Sequence, residues 1–106
     1  MKIAVVGSIN IDMVYHLKEH LKIGETVFVD GYQVLDGGKG ANQAVMLAAL
    51  NDEVVMLGCV GDDAFGRRAI SNLHEKNVCT EYIQIKKGYT GLAIIQVVNG
   101  DNSIVV

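Results

Sequence analysis

Apolar positions run unbroken from Ile3 to Val6 and are closed by Gly7. A short, partly β-branched run of this kind predicts a strand, Lys2 to Gly7, buried on both faces as in a parallel sheet. From Ile11 to Leu17 the pattern changes. Ile11, Met13, Tyr15 and Leu17 alternate with Asp12, Val14 and His16, which predicts a half-buried strand. Thr26 to Leu35 reads as a further strand with a bulge or bend at Gly31, and Asp36-Gly37-Gly38-Lys39-Gly40 reads as a loop. Ala41 to Leu50 has strong helix formers and almost no polar face after Gln43, so a helix buried nearly all round is expected. Glu53 to Val60 predicts a second buried strand. Asp62 and Asp63 stand before Ala64 in N-cap position. On the helix that follows, Phe65, Ala69, Ile70 and Leu73 form one apolar arc, while Arg67, Arg68, Ser71 and Glu75 point away. Thr80 to Lys86 is expected as a short strand. Leu92 to Val98 and Ser103 to Val106 are expected as two more, joined through Asn99-Gly100, a hairpin signal.

Strand and helix alternate through the middle of the chain, which implies a parallel α/β layer. The surplus strands cannot all join that layer as crossovers, so a separate small antiparallel sheet is expected. No repeat, low-complexity tract or linker divides the 106 residues, and a single domain is expected. The chain stops within an apolar strand, at Ile104-Val105-Val106, and reads as the front portion of something larger.

Hydrophobic residues make up 50% of the chain and charged residues 20%, a composition that folds. The longest apolar run, Ala44 to Leu50, is far short of the ~18 residues of a membrane span. The N-terminus has no signal-peptide pattern, so a cytoplasmic location is expected. Cys59 and Cys79 are expected as reduced thiols. A net charge of −3, from 9 basic and 12 acidic residues with no basic run, argues against nucleic acid as a partner. There are 12 glycines and no proline, so the turns fall to Gly, Asn and Asp.

The densest candidate for chemistry is Gly37-Gly38-Lys39-Gly40-Ala41-Asn42-Gln43. A Walker A loop would need Gly where Gln33 stands and Ser or Thr where Gly40 stands, and the segment is not GxGxxG either. Backbone N–H groups at a helix start, with Lys39 and Asn42 beside them, suit hydroxyl or anionic ligands. A tight strand-to-helix turn with a solvated lysine is the alternative, but three glycines in four residues exceed what a turn needs. Asn10 and Asp12 lie just past the first strand, where ligands bind in parallel sheets. An amide and a carboxylate on one side of an extended chain can hold vicinal sugar hydroxyls, or each can bond its own turn backbone. Asp63 is read as a helix cap rather than a catalytic group. His16, His20 and His74 lack metal-ligand spacing, so no metal site is expected, and the four tyrosines are expected to pack on sheets.

Gly7-Ser8-Ile9-Asn10-x-Asp12, Gly24-Glu25-Thr26-Val27, the Gly37 to Val45 segment, Gly61-Asp62-Asp63-x-x-Gly66 and Thr90-Gly91-x-Ala93 occur in this order along the whole chain. In order and spacing they resemble the ribokinase-like PfkB carbohydrate kinase family, and the Gly-Gly-Lys-Gly-Ala-Asn-Gln segment is specific. The resemblance implies an α/β fold, the ribokinase-like three-layer core with a small β-sheet lid, here truncated. Residues 1–8 and 40–86 would supply core, and 11–35 and 90–106 lid. It implies that Asn10, Asp12, Gly38, Lys39 and Asn42 hold sugar hydroxyls, and that lid strands of two subunits pack as a homodimer. A complete family member would use ATP, magnesium and potassium to phosphorylate a ribose-like sugar.

The sequence also departs from the family. The second signature, Asp-Thr-x-Gly-Ala-Gly-Asp, which carries the family's catalytic base and anion hole, does not occur. Leu21-Lys22-Ile23 replaces the prolines that precede Gly24 in the family. No catalytic residue and no cofactor is therefore expected in this chain. It is expected to be the inactive sugar side of a kinase or, alternatively, a self-associating or weak sugar-binding module.

Overall fold

A computed structural model of the chain describes residues 1–50 and 52–106. The elements run β1 (Lys2–Val6), β2 (Asn10–Leu17), β3 (Gly31–Gly37), α1 (Lys39–Ala49), β4 (Glu53–Leu57), β5 (Cys59–Gly61), α2 (Ala64–Glu75), β6 (Val78–Cys79), β7 (Gln84–Lys86), β8 (Gly91–Val98) and β9 (Asp101–Val105). They form two compact units. Unit 1 is Met1–Ile11 with Asp36–Gly91, and unit 2 is Asp12–Leu35 with Leu92–Val106.

Unit 1 is built on a parallel sheet of order β1-β4-β6 and a second parallel pair, β5-β7. Lys2 stands opposite Glu53 and Val6 opposite Leu57, while Val54 and Val55 face Val78 and Cys79. α1 packs on β1 and β4, and α2 on β5 and β6. Strand alternation sends Val5, Val54, Met56 and Val78 to the helix side, where all four are buried with Ala44, Ala48, Ala69 and Leu73. Met56 and Leu73 are fully buried, each contributing about 1.5–3 kcal/mol by leaving water.

The other face of this sheet is open, which corrects the expectation that β1 is buried on both sides. Ala4 is exposed and Val6 is 80% exposed. The apolar run marks a parallel strand correctly, but both helices leave its second face uncovered. α1 likewise is not buried all round. Its small residues Gly40, Ala41, Ala44 and Ala48 form the buried stripe, and Met46 is exposed.

Other boundaries also move. Residues Thr26 to Asp30 belong to no strand, and β3 begins at Gly31. The expected Asp36–Gly40 loop shrinks to Gly38, because Asp36 and Gly37 extend β3 and Lys39 and Gly40 open α1. The expected strand Glu53–Val60 breaks at Gly58 into β4 and β5. Thr80 to Tyr82 form a turn closed by Ile83 N–H on the Thr80 carbonyl, so the expected strand over Thr80–Lys86 is confined to β7, and β6 precedes it.

Most of the four-stranded sheet, order β3-β2-β8-β9, lies in unit 2. β8 and β9 pair antiparallel from Val98↔Asp101 to Ile94↔Val105. Their turn has φ 51° at Asn99 and 82° at Gly100, the positive pair that a two-residue hairpin requires. The Tyr15 and Tyr32 rings meet with centroids 6.5 Å apart. No helix among the described residues is long and apolar enough to cross a membrane.

Candidate functional site

The glycine-rich segment is explained first by backbone against backbone. Gly7 N–H continues the sheet ladder to the Leu57 carbonyl at 3.2 Å. Beyond it the chain runs directly under the start of α1. A Cβ on Gly40 would lie 2.7 Å from Gly7 Cα and 2.8 Å from Ser8 N. A Cβ on Gly38 would lie 2.6 Å from the Ser8 carbonyl oxygen and 2.9 Å from Asn10 N. No real side chain fits such gaps. Gly38 also has φ 97°, which an L-residue rarely adopts. Ala41 N–H then donates to the Ser8 carbonyl at 3.0 Å. The two candidate motifs, Gly7–Asn10 and Gly38–Asn42, are thus one packed object.

This packing places Asn10 beside the N-terminus of α1. Gly38 is the N-cap but offers no side-chain cap, and the first turn carries no acidic residue. The helix start therefore keeps its partial positive charge toward any ligand. Lys39 and Asn42 are exposed on the first turn, and Asn10 is half-buried. A narrow cleft of only about 20 Å³ runs between the helices, with Asn10, Asp36, Asn42 and Asn72 among its lining residues. Of the five predicted residues, unit 1 brings together Asn10, Gly38, Lys39 and Asn42. Asp12 belongs to unit 2. It lies two positions past Asn10 along β2, on the same strand face, and is half-buried. A larger open hollow of about 440 Å³, lined in part by Leu17, Glu25, Phe28 and Asp30 within unit 2, contains none of the five.

Two features escape a reading of the sequence. Asp36, inside the predicted loop, has its Oδ1 buried without a hydrogen-bond partner, 3.5 Å from Arg68 Nε on α2. Nothing local in the sequence links those two positions. The second is the reach of Asp63. Its Oδ1 accepts from Gly66 N–H at 2.8 Å, the expected cap. The same oxygen accepts from the Thr90 hydroxyl at 2.6 Å, and Oδ2 accepts from Thr90 N–H at 2.9 Å. Thr90 Oγ1 in turn accepts from Gly61 N–H at 3.0 Å. These bonds, the Thr90 hydroxyl first, hold the Asp63 carboxyl below its ordinary pKa.

The sequence matches the family model described as pfkB family carbohydrate kinase over residues 1–106. The chain belongs to the pfkB family of carbohydrate kinases. It is 44% identical to ribokinase of Bacillus subtilis (strain 168) over 105 residues, 98% of this chain and 36% of that protein. It is 41% identical to deoxyribokinase of Salmonella typhi over 108 residues, covering 100% of this chain and 35% of that one. The solved structure of Arabidopsis thaliana ribokinase complexed with ribose and ATP superposes with a TM-score of 0.91 at 35% identity, covering 96% of this chain and 34% of that chain. The fold of this chain is therefore ribokinase-like α/β, and it spans about a third of the length of these relatives.

Among the described residues, no group of three or more His, Cys, Asp or Glu converges to hold a metal ion.

Proposed function

We propose that this chain is the sugar-binding side of an ATP-dependent carbohydrate kinase acting on a pentose hydroxyl. The observation that carries the reading is the locked packing of Gly38 and Gly40 on Gly7–Asn10, which fixes Asn10 beside a helix start that has no side-chain cap and bears Lys39 and Asn42. Amide and ammonium groups there can bond several hydroxyls of one sugar, with the N–H groups of Lys39 and Gly40 at the helix start adding donors. Asp12, following along β2, would accept hydrogen bonds from sugar hydroxyls as a carboxylate. Unit 2, with residues 12–35 and 92–106, serves in this reading as the lid.

ATP is the proposed phosphoryl donor, with magnesium and potassium as its companions, and the cytoplasm is the proposed location. The similarity to both a ribokinase and a deoxyribokinase supports a pentose as the substrate class. Phosphoryl transfer needs a base to activate the hydroxyl and donors for the transferring group. The Asp-Thr-x-Gly-Ala-Gly-Asp signature that supplies both in the family is absent from these 106 residues. The chain alone is therefore expected to bind without transferring.

Two measurements test this. A coupled assay with ATP, magnesium, potassium and ribose should show no turnover, and rates of about 1–100 per second would overturn the reading. Calorimetry should show ribose binding at millimolar strength or weaker, because partly exposed polar contacts gain little net energy, and Asp12→Ala should abolish it. Micromolar affinity that survives in Asp12→Ala would count against the site.

Self-association through unit 2 is the second reading. It is favoured by large exposed side chains there, Ile23, Phe28 and Tyr32 among them.

A further inference from the structure

We propose that Asp63 is a positioning residue that sets the Asn10 carboxamide through the Thr90–Gly91 backbone. A helix cap needs one carboxylate oxygen and one backbone donor. Asp63 commits both oxygens, and both reach Thr90. Thr90, only 4% exposed, is the one buried polar side chain among the described residues. It is held from two more sides. Gly61 N–H donates to its hydroxyl oxygen, and any Cβ on Gly61 would strike Thr90 N, while one on Gly66 would lie 2.9 Å from Thr90 Oγ1.

With Thr90 fixed at N–H and Oγ1, the next residue has no freedom to drift. That residue is Gly91. A Cβ there would stand 3.0 Å from Asn10 Oδ1 and 3.7 Å from Asn10 Cγ. The Asn10 carboxamide therefore rests on the Gly91 backbone, and the carboxylate at the start of α2 sets where that backbone lies. Asp63 touches no ligand in this scheme. Its importance for sugar recognition rests on the assignment of Asn10 above, whereas the coupling from Asp63 to Asn10 does not.

The test uses the ¹⁵N-labelled full chain without sugar, followed by a ribose titration. Loss of one side-chain amide pair in Asn10→Asp assigns the Asn10 resonances. Asp63→Asn and Thr90→Val should displace that pair and weaken ribose binding about fivefold or more. Thr90→Ser, which keeps the hydroxyl, should restore both. Gly91→Ala should displace the Asn10 pair with the Gly66 and Thr90 amides unmoved, and it carries the comparison with Asp63→Asn if Thr90→Val does not fold. Shifts at Gly66 and Thr90 with an unmoved Asn10 pair in Asp63→Asn would overturn the proposal and reduce Asp63 to a cap. Because the Asn10 resonances are read without ligand, a wild-type chain that binds no ribose removes the sugar assignment and still decides the coupling.

Discussion

Gly40 sets two effects of opposite sign against each other. It lies within α1, where alanine is the better helix former by about 1 kcal/mol. Its missing Cβ, however, faces backbone atoms of Gly7 and Ser8 at 2.7–2.8 Å, which no rotamer change can relieve. Overpacking of this kind costs about 1–3 kcal/mol or more, so Gly40→Ala is expected to be net destabilising in urea denaturation. Gly31→Ala is the control, since a methyl there would have nothing within 4 Å and the φ is ordinary, and it should be close to neutral. Asp63 gives the pH counterpart. Its folded pKa lies below the unfolded one, so its stabilisation is present above the ordinary carboxylate range, near pH 4, and is lost as pH falls through the folded value. Asp63→Asn should lower Tm at neutral pH by roughly 4–8 °C. The gap to wild type should narrow as thermal melts are run further below pH 4. A gap independent of pH would contradict the hydrogen-bonded carboxylate.

At the scale of elements, the β8–β9 hairpin is the part whose local chemistry decides most. Every residue of β9 is exposed, so little burial supports it and the turn contributes a large share. Gly100 sits at φ 82°. A side chain in that region costs about 1–2 kcal/mol, so Gly100→Ala should speed amide hydrogen exchange in β9 by about 5–30-fold. Exchange in β4 should not change. The same hairpin was legible in the sequence because Asn-Gly fixes a turn by itself. So was the Asp63 cap, a purely local bond. The misplaced elements share a different cause. Whether Gly58 interrupts a strand depends on Gly7 O, which would lie 2.9 Å from its Cβ, and β7 stops where its parallel partner β5 stops, Gly61 facing Lys86. Those are contacts between distant positions, invisible to periodicity. The glycine-rich entry into α1 at Gly38–Gly40 was legible as a special backbone. Its tightness comes from the Ser8–Asn10 strand beneath it, and the sequence alone left room for a ligand as the reason.

At the scale of the whole molecule, the outstanding quantity is exposed apolar surface. In unit 2, Ile23 and Phe28 are essentially fully exposed, and Ile104 and Val105 are exposed on β9. In unit 1, the open face of the β1-β4-β6 sheet presents Ala4 and Val6. Soluble monomers rarely leave such groups clustered without a partner. Burying apolar area gains about 25 cal/mol per Å², so a few hundred Å² is comparable with the stability of a small domain. A second copy of the chain is always available as partner, and a two-fold pairing lets one patch cover itself. Unit 2 holds the larger set, from Leu21 and Ile23 through Val27, Phe28 and Val29 to Tyr32 and Leu35, so it is the face expected to pair. Sedimentation at micromolar concentration should therefore report twice the 11.4 kDa chain mass. Phe28→Ser should shift the equilibrium toward monomer by about tenfold or more, since removing a buried aromatic costs an interface on the order of 2 kcal/mol. Val6→Ser should leave it unchanged. A cooperatively folding monomer at all these concentrations would mean that the apolar residues of unit 2 are tolerated singly. A dimer sensitive to Val6→Ser and indifferent to Phe28→Ser would move the interface to the open sheet of unit 1.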